Sequence, residues 1–289
     1  MGGASPVQRV IERLSKGSSE LKPALAAFST LLVGTVLLSE ASTEQRPLPT
    51  LVALFCALAS ALDQTRAPAL ALAAALQALR VVQAFPATAN HAYLQLILLL
   101  LATLLAGASS AETKQLVSSC RAITAAVFFH AGLQKLVYGA YFDGRMLAVL
   151  ISKHERYQWA FEPLVGSSEI ARLAALSTHL PGQGPFTVDS VLVTVIANAT
   201  WLLELSIAAL LLTPLAVAPW LAAIFMVCIE AAARELVFGV LMLGLLGLFL
   251  PAKAARRAQL VLIVLGGALL AVAYGTLPGR NLLFLEALP

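Results

Sequence analysis

Apolar residues run through this chain in long blocks separated by short polar or glycine- and proline-containing breaks. Reading those blocks as helices places them at about 24–40, 50–63, 68–85, 91–108, 115–139, 187–212, 216–234, 236–250 and 259–276. Most are near the roughly 20 residues that carry a helix across about 30 Å of hydrocarbon. The block from Leu215 to Leu250 is an exception. As one helix of 36 residues it would extend about 54 Å, too long for one crossing. Glu230, Arg234, Glu235 and Gly239 are the only polar or flexible positions near its middle, so the break is expected there. Interrupted backbone at membrane depth is tolerated where it is buried in protein or lines a cavity.

Composition agrees with this pattern. Sixty per cent of the 289 residues are hydrophobic and 12% are charged, and the mean hydropathy is +0.87. A soluble domain carries about 25% charge. The expected fold class is therefore all-α: a polytopic membrane bundle of eight or nine helices, one transmembrane domain over 23–289 after a cytoplasmic segment at 1–22. The residues Val7 to Leu14 read as a short amphipathic surface helix, and the start lacks the apolar core of a cleavable signal. Gly2 and Gly3 follow Met1, but Pro6 stands where a myristoylation signal carries Ser or Thr.

The net charge of +4 reads as topology and not as a nucleic-acid surface. Arg9, Arg13, Lys16 and Lys22 precede the first block, and Lys253, Arg256 and Arg257 follow the eighth. The positive-inside rule puts both groups in the cytoplasm, in a bacterial inner membrane or the endoplasmic reticulum. The only long connection, 140–186, then falls on the extracytoplasmic side. Its apolar runs, Met146 to Ile151 and Ile170 to Leu176, predict short interfacial helices over the bundle.

Polar residues within the apolar blocks are the candidates for chemistry. A Lys or Arg at mid-bilayer depth costs roughly 2.5–3.5 kcal/mol, so such residues face a bundle interior or a wet cavity. Lys135 is the foremost case; its alternative is snorkelling, since the helix ends about four residues later. Desolvation disfavours an ammonium, so a lysine in a dry site can present a neutral amine, a general base. His130, Gln134 and Tyr138 form one stripe at 100° per residue, close enough to Lys135 to converge on a shared cavity. Thr194, Asn198, Trp201 and Glu204 occupy a broad face of the next helix, where Glu204 is an isolated carboxylate among leucines. It can serve as glue in the bundle, pair with Lys135 or Arg234, or hold a ligand hydroxyl. Glu230 and Arg234 are four apart and can neutralise each other. Arg80 and Arg121 read as structural.

Other chemistries lack their signatures. His91, His130, His154 and His179 have no metal-ligand spacing, and no metal is predicted. Cys56, Cys120 and Cys228 lie singly in apolar blocks and read as packing residues. No Gly-rich phosphate loop or GxSxG elbow occurs.

The string AGLQKLVYGAYFDGRML resembles the transmembrane family that includes the vitamin K-dependent gamma-carboxylase and its bacterial relatives, the HTTM proteins. Phe128, Phe129, Ala131, Gly132, Lys135, Leu136, Tyr141, Asp143 and Gly144 fit its pattern, with one extra residue before the aromatic. WLLEL with Glu204, and Glu230 followed by GVLMLGLLGLFLP, agree in order, so the resemblance covers about 115–251. It implies a membrane enzyme, carboxylase/epoxidase-like or an oxidoreductase, that uses a vitamin K-like or other prenyl hydroquinone. The lysine matching Lys135 would deprotonate it, His130 and Glu204 would assist, and Gln134, Tyr138, Asn198, Trp201, Glu230 and Arg234 would line the cofactor site. The hydroquinone carries the hard chemistry in that scheme. Implied partners are membrane lipids and a peptide or small-molecule substrate. Glu230 stands where many relatives have a histidine, and no counterpart of the carboxylase's large extracytoplasmic domain is recognisable. The DoxX-like membrane proteins are a looser resemblance. A non-catalytic lipid-binding or assembly subunit is the alternative, and a transporter the third, without an inverted repeat to support it.

Overall fold

The structure, a computed structural model, describes residues 24–39, 47–86, 90–105, 110–181 and 183–273, side chains at 47, 105, 110–112, 236, 252–253, 266 and 269–273 aside. The expected surface helix from Val7 to Leu14 lies outside these residues. The described chain is all-helical: α1 (Ala24–Ser39), α2 (Pro47–Ser60), α3 (Arg66–Ala84), α4 (Asn90–Leu105), α5 (Ser110–Tyr138), α6 (Arg145–Lys153), α7 (Glu155–Val165), α8 (Ser167–Ala174), α9 (Val191–Leu211), α10 (Ala218–Ala233), α11 (Leu236–Leu248) and α12 (Ala252–Ala273). Each apolar block holds a helix within a few residues of its expected limits, except that α5 starts five residues and α12 seven residues before theirs.

Three of these helices are long and apolar enough to cross a membrane, with spans at Arg66–Ala84, Thr113–Tyr138 and Val191–Leu211, as a helical membrane protein requires. Five others are apolar and shorter. Large apolar side chains such as Phe55, Val82, Leu104, Val195 and Ile224 are exposed, which fits a surface facing hydrocarbon.

The chain divides into two compact units. One comprises Met1–Arg121 and Glu235–Pro289, the other Ala122–Arg234. In the first, α2, α3 and α4 pack in series, and a buried polar chain ties α1, α3 and α4 together. Gln77 Nε2 donates to the Ala92 carbonyl at 3.1 Å and to Gln95 Oε1 at 3.0 Å, and Gln95 Nε2 donates to Ser39 Oγ at 3.4 Å. Away from water, amides of this kind persist only when hydrogen-bonded, so the chain specifies how these helices register.

The second unit holds the long connection, which folds as a cap of three short helices. Leu147, Ala148 and Ile151 on α6, Phe161 on α7 and Leu173 on α8 form one core with Phe186 and with Val193 and Ala197 on α9. The expected helices at Met146 to Ile151 and Ile170 to Leu176 correspond to α6 and α8. The third, α7, has no apolar run, because its sequence ERYQWAFEPLV mixes charges, aromatics and Pro163. Lys153 Nζ donates to the carbonyls of Ser177 and His179, and Arg172 pairs with Glu169 at 2.7 Å and donates to the Thr187 carbonyl. These contacts hold the segment after α8 against the cap.

The expected break within Leu215 to Leu250 falls at Arg234. This residue adopts φ +53°, its N–H donates to the Glu230 carbonyl at 2.9 Å, and α11 starts two residues later. A left-handed residue past a helix end satisfies carbonyls the helix leaves open, usually by glycine; an arginine there is conformationally costly.

Candidate functional site

The C-terminal half of α5 lies against α9 at Gly132. A Cβ on this residue would stand 2.8 Å from Leu205 Cγ and 3.0 Å from the Trp201 carbonyl oxygen, so only glycine lets the helices approach so closely. Three residues on, and so on nearly the same face, Lys135 reaches across to α9. Its Nζ donates to Glu204 Oε1 at 2.8 Å and to the Ala131 carbonyl at 3.4 Å. The side chains of Lys135 and Glu204 are 19% and 8% exposed. Of the two cations expected as partners for Glu204, it is Lys135 that meets it. The second carboxylate oxygen, Oε2, is buried and has no hydrogen-bond partner among the described residues.

Past Tyr138 the chain turns sharply beside this pair. Gly139 adopts φ +69° with its N–H donating to the Lys135 carbonyl at 3.2 Å, and Gly144 adopts φ +73°. A Cβ on Gly144 would press on Thr194 Oγ1 at 3.3 Å. Asn198 on α9 secures the turn: Nδ2 donates to the carbonyls of Thr194 at 2.9 Å, Phe142 at 3.1 Å and Tyr141 at 3.5 Å. Its Oδ1 accepts from Trp201 Nε1 at 3.2 Å, and the Trp201 ring meets Phe142 edge-on at 5.8 Å. Asn198 and Trp201 thus spend their polar groups on the protein itself, as supports for the turn and not as free ligand groups.

That turn brings the Tyr141 ring to 5.5 Å from Lys135 Nζ, within cation–π range. Burial, then repulsion from the Tyr157 phenol once it too ionises and from the Glu204 carboxylate, push the Tyr141 hydroxyl well above the usual phenol range, so it stays protonated. Tyr141 and Gly132 were legible only as members of the family string; their roles depend on the fold of the turn and the packing of α9. A small residue one helical turn before an intramembrane lysine is the signal that could have marked the close approach.

The expected convergence of His130, Gln134 and Tyr138 with Lys135 does not occur. All three are exposed, on a stripe that points away from α9. The physical reason is that α9 packs on the face of Gly132 and Lys135, and Gln134 lies about 100° round the helix from Lys135. Glu230 and Arg234 sit at the end of α10. Both Glu230 carboxylate oxygens are buried, and the Arg234 guanidinium lies 4.4 Å over the Trp159 ring of α7, so Arg234 secures the cap. Among the described residues, no group of three His, Cys, Asp or Glu side chains is placed to hold a metal ion.

No protein-family model, characterised protein or solved structure matches this chain. Function must therefore be read from the pair itself. Lys135 has three N–H donors, and two are engaged by Glu204 and Ala131. Among the described residues one donor on Lys135 and one buried acceptor, Glu204 Oε2, remain on the two partners of the pair. A hydroxyl satisfies both at once, since it donates and accepts through the same oxygen.

Proposed function

We propose that this chain is a multi-pass membrane protein of eight or nine spans, with a cytoplasmic N-terminus, that binds the hydroxyl head of a hydroquinone or related prenyl lipid at Lys135 and Glu204. The observation that carries this reading is the buried Glu204 Oε2, without a hydrogen-bond partner among the described residues, beside the Lys135 ammonium. An acceptor left unsatisfied away from water costs about 1–3 kcal/mol, and a ligand hydroxyl removes that cost.

A hydroquinone, when bound, supplies two electrons and two phenolic protons. The residues orient and deprotonate it. The ion pair and its neutral form differ by one proton shifted along the 2.8 Å hydrogen bond between Nζ and Oε1. In the neutral form Glu204 holds the displaced proton and donates it back toward the Lys135 amine; when that hydrogen bond opens, Nζ is the base, taking the hydroquinone proton to become an ammonium beside the hydroquinone anion. Tyr141 closes one side of the ammonium and limits water, while Asn198 fixes the turn that carries it. Only the base role of Lys135 and the assisting role of Glu204 follow those suggested by resemblance to the gamma-carboxylase family; His130, Gln134 and Tyr138 take no part, and Asn198, Trp201 and Arg234 support the turn and the cap. A bacterial inner membrane or the endoplasmic reticulum suits this protein equally.

A second reading has its own support. The close approach at Gly132 and the inward-turned hydrogen bonds of Asn198 also suit a non-catalytic lipid-binding or assembly subunit, in which the pair fastens α5 to α9.

Native mass spectrometry of the purified protein distinguishes them. The first reading expects a co-purifying quinone-type lipid that disappears in Lys135→Ala and Glu204→Leu while the protein remains folded. A folded wild-type protein that takes up no quinone or hydroquinone even when reconstituted with an excess of either rejects it.

A further inference from the structure

From Ala122 to Tyr138 the outward face of α5 carries Ala122, Ala126, His130, Gln134 and Tyr138 at intervals of four residues, all exposed. The side chains of His130, Gln134 and Tyr138 make no hydrogen bond with the described residues. This segment belongs to a helix long and apolar enough to span a membrane, where hydrocarbon offers polar side chains no partner. Leu133 and Val137, exposed beside the stripe, suit lipid. An imidazole and a carboxamide do not.

We propose that this stripe is the contact surface for a second copy of the chain, α5 against α5 about a two-fold axis along the membrane normal. Copies of one protein insert in the same direction, so their α5 helices run parallel and a residue near the axis meets itself at equal depth. Such a position requires a side chain that both donates and accepts. Gln, His and Tyr all do, whereas Lys or Glu there would repel its own copy. Ala122 and Ala126, two turns and one turn before His130, let the backbones approach closely, as small residues at four-residue spacing do between membrane helices. Lys135 points about 100° away, toward α9, so the contact leaves the ion pair untouched. The inference does not depend on what binds at that pair.

The test uses the full chain reconstituted in lipid vesicles at high dilution, with Cys228, the exposed cysteine, replaced by Ser. Gln134→Cys should form a disulfide-linked dimer on mild oxidation, and Leu136→Cys, about 200° round the helix, should not. Separately, His130→Leu with Gln134→Leu removes no bond within the described chain, so it should insert normally. It should weaken dimerisation by about threefold for each interhelical hydrogen bond lost, read by single-molecule photobleaching. Equal cross-linking at both positions, absence of cross-linking at 134, or an unchanged dimer fraction in the double leucine variant overturns the proposal.

Discussion

Adding one methyl group at Gly132 tests how the Lys135–Glu204 pair is assembled. In an open helical position Gly→Ala stabilises by about 1 kcal/mol, because alanine restricts the unfolded chain. Gly34 in α1 is such a position, with nothing among the described residues within 4 Å of an added Cβ. At Gly132 the same methyl would lie 2.8 Å from Leu205 Cγ and 3.0 Å from the Trp201 carbonyl oxygen. Ordinary contact begins near 3.4 Å, a deficit of about 0.6 Å and 0.4 Å. Leu205 can shift, but a backbone carbonyl within a helix cannot swing aside, so α5 and α9 must separate by a few tenths of an ångström. Overpacking of this kind costs about 1–3 kcal/mol. The propensity gain is common to both substitutions, so Gly132→Ala should be less stable than Gly34→Ala by about 1–3 kcal/mol. Reversible unfolding of the two variants in the same detergent measures that difference directly. If Gly132→Ala matches Gly34→Ala, with both above wild type, the close approach is not what brings Lys135 to Glu204.

Two further outcomes follow from the same geometry. Lys135→Met strands a buried carboxylate and should cost about 3–5 kcal/mol, whereas Lys135→Met with Glu204→Leu should recover most of it; a double variant as unstable as the single one refutes the pairing. The Tyr141 hydroxyl is held above the usual phenol range by burial and nearby negative charge, so its contribution to stability is intact below about pH 10 and is lost as pH rises toward its folded value. Tyr141→Phe should therefore lose less stability than wild type between neutral pH and pH 11, and parallel curves from denaturation at stepped pH would contradict this.

The helices were legible because hydrocarbon-compatible blocks leave few places to stop, and the break at Arg234 because charge interrupts an otherwise apolar run. The helix α7 was hidden by its mixed composition: Phe161 is buried in the cap core, whereas Trp159 is exposed and stacks with Arg234, so no single hydrophobic period emerges. At the site, the sequence singled out Lys135 and Glu204 as expensive residues, and left open which cation Glu204 would meet. Only tertiary packing selects the face of α5 that receives α9, which is why Lys135 found a partner while His130 and Gln134 turned outward. The duties of Asn198 were likewise invisible, since two of its acceptors lie 56 and 57 residues away in a turn held by glycines of positive φ.

The ion pair joins residues 69 positions apart, with the whole cap between them. At ribosomal rates of about 5–20 residues per second, Lys135 is made about 3–14 seconds before Glu204 exists. During that interval α5 holds a cation without its partner, and the cap must be completed before the charge is matched. Biosynthesis is therefore a stage at which the missing partner of Lys135 is felt. Loss of Glu204 should register as much in the yield of inserted protein as in the stability of molecules that finish folding.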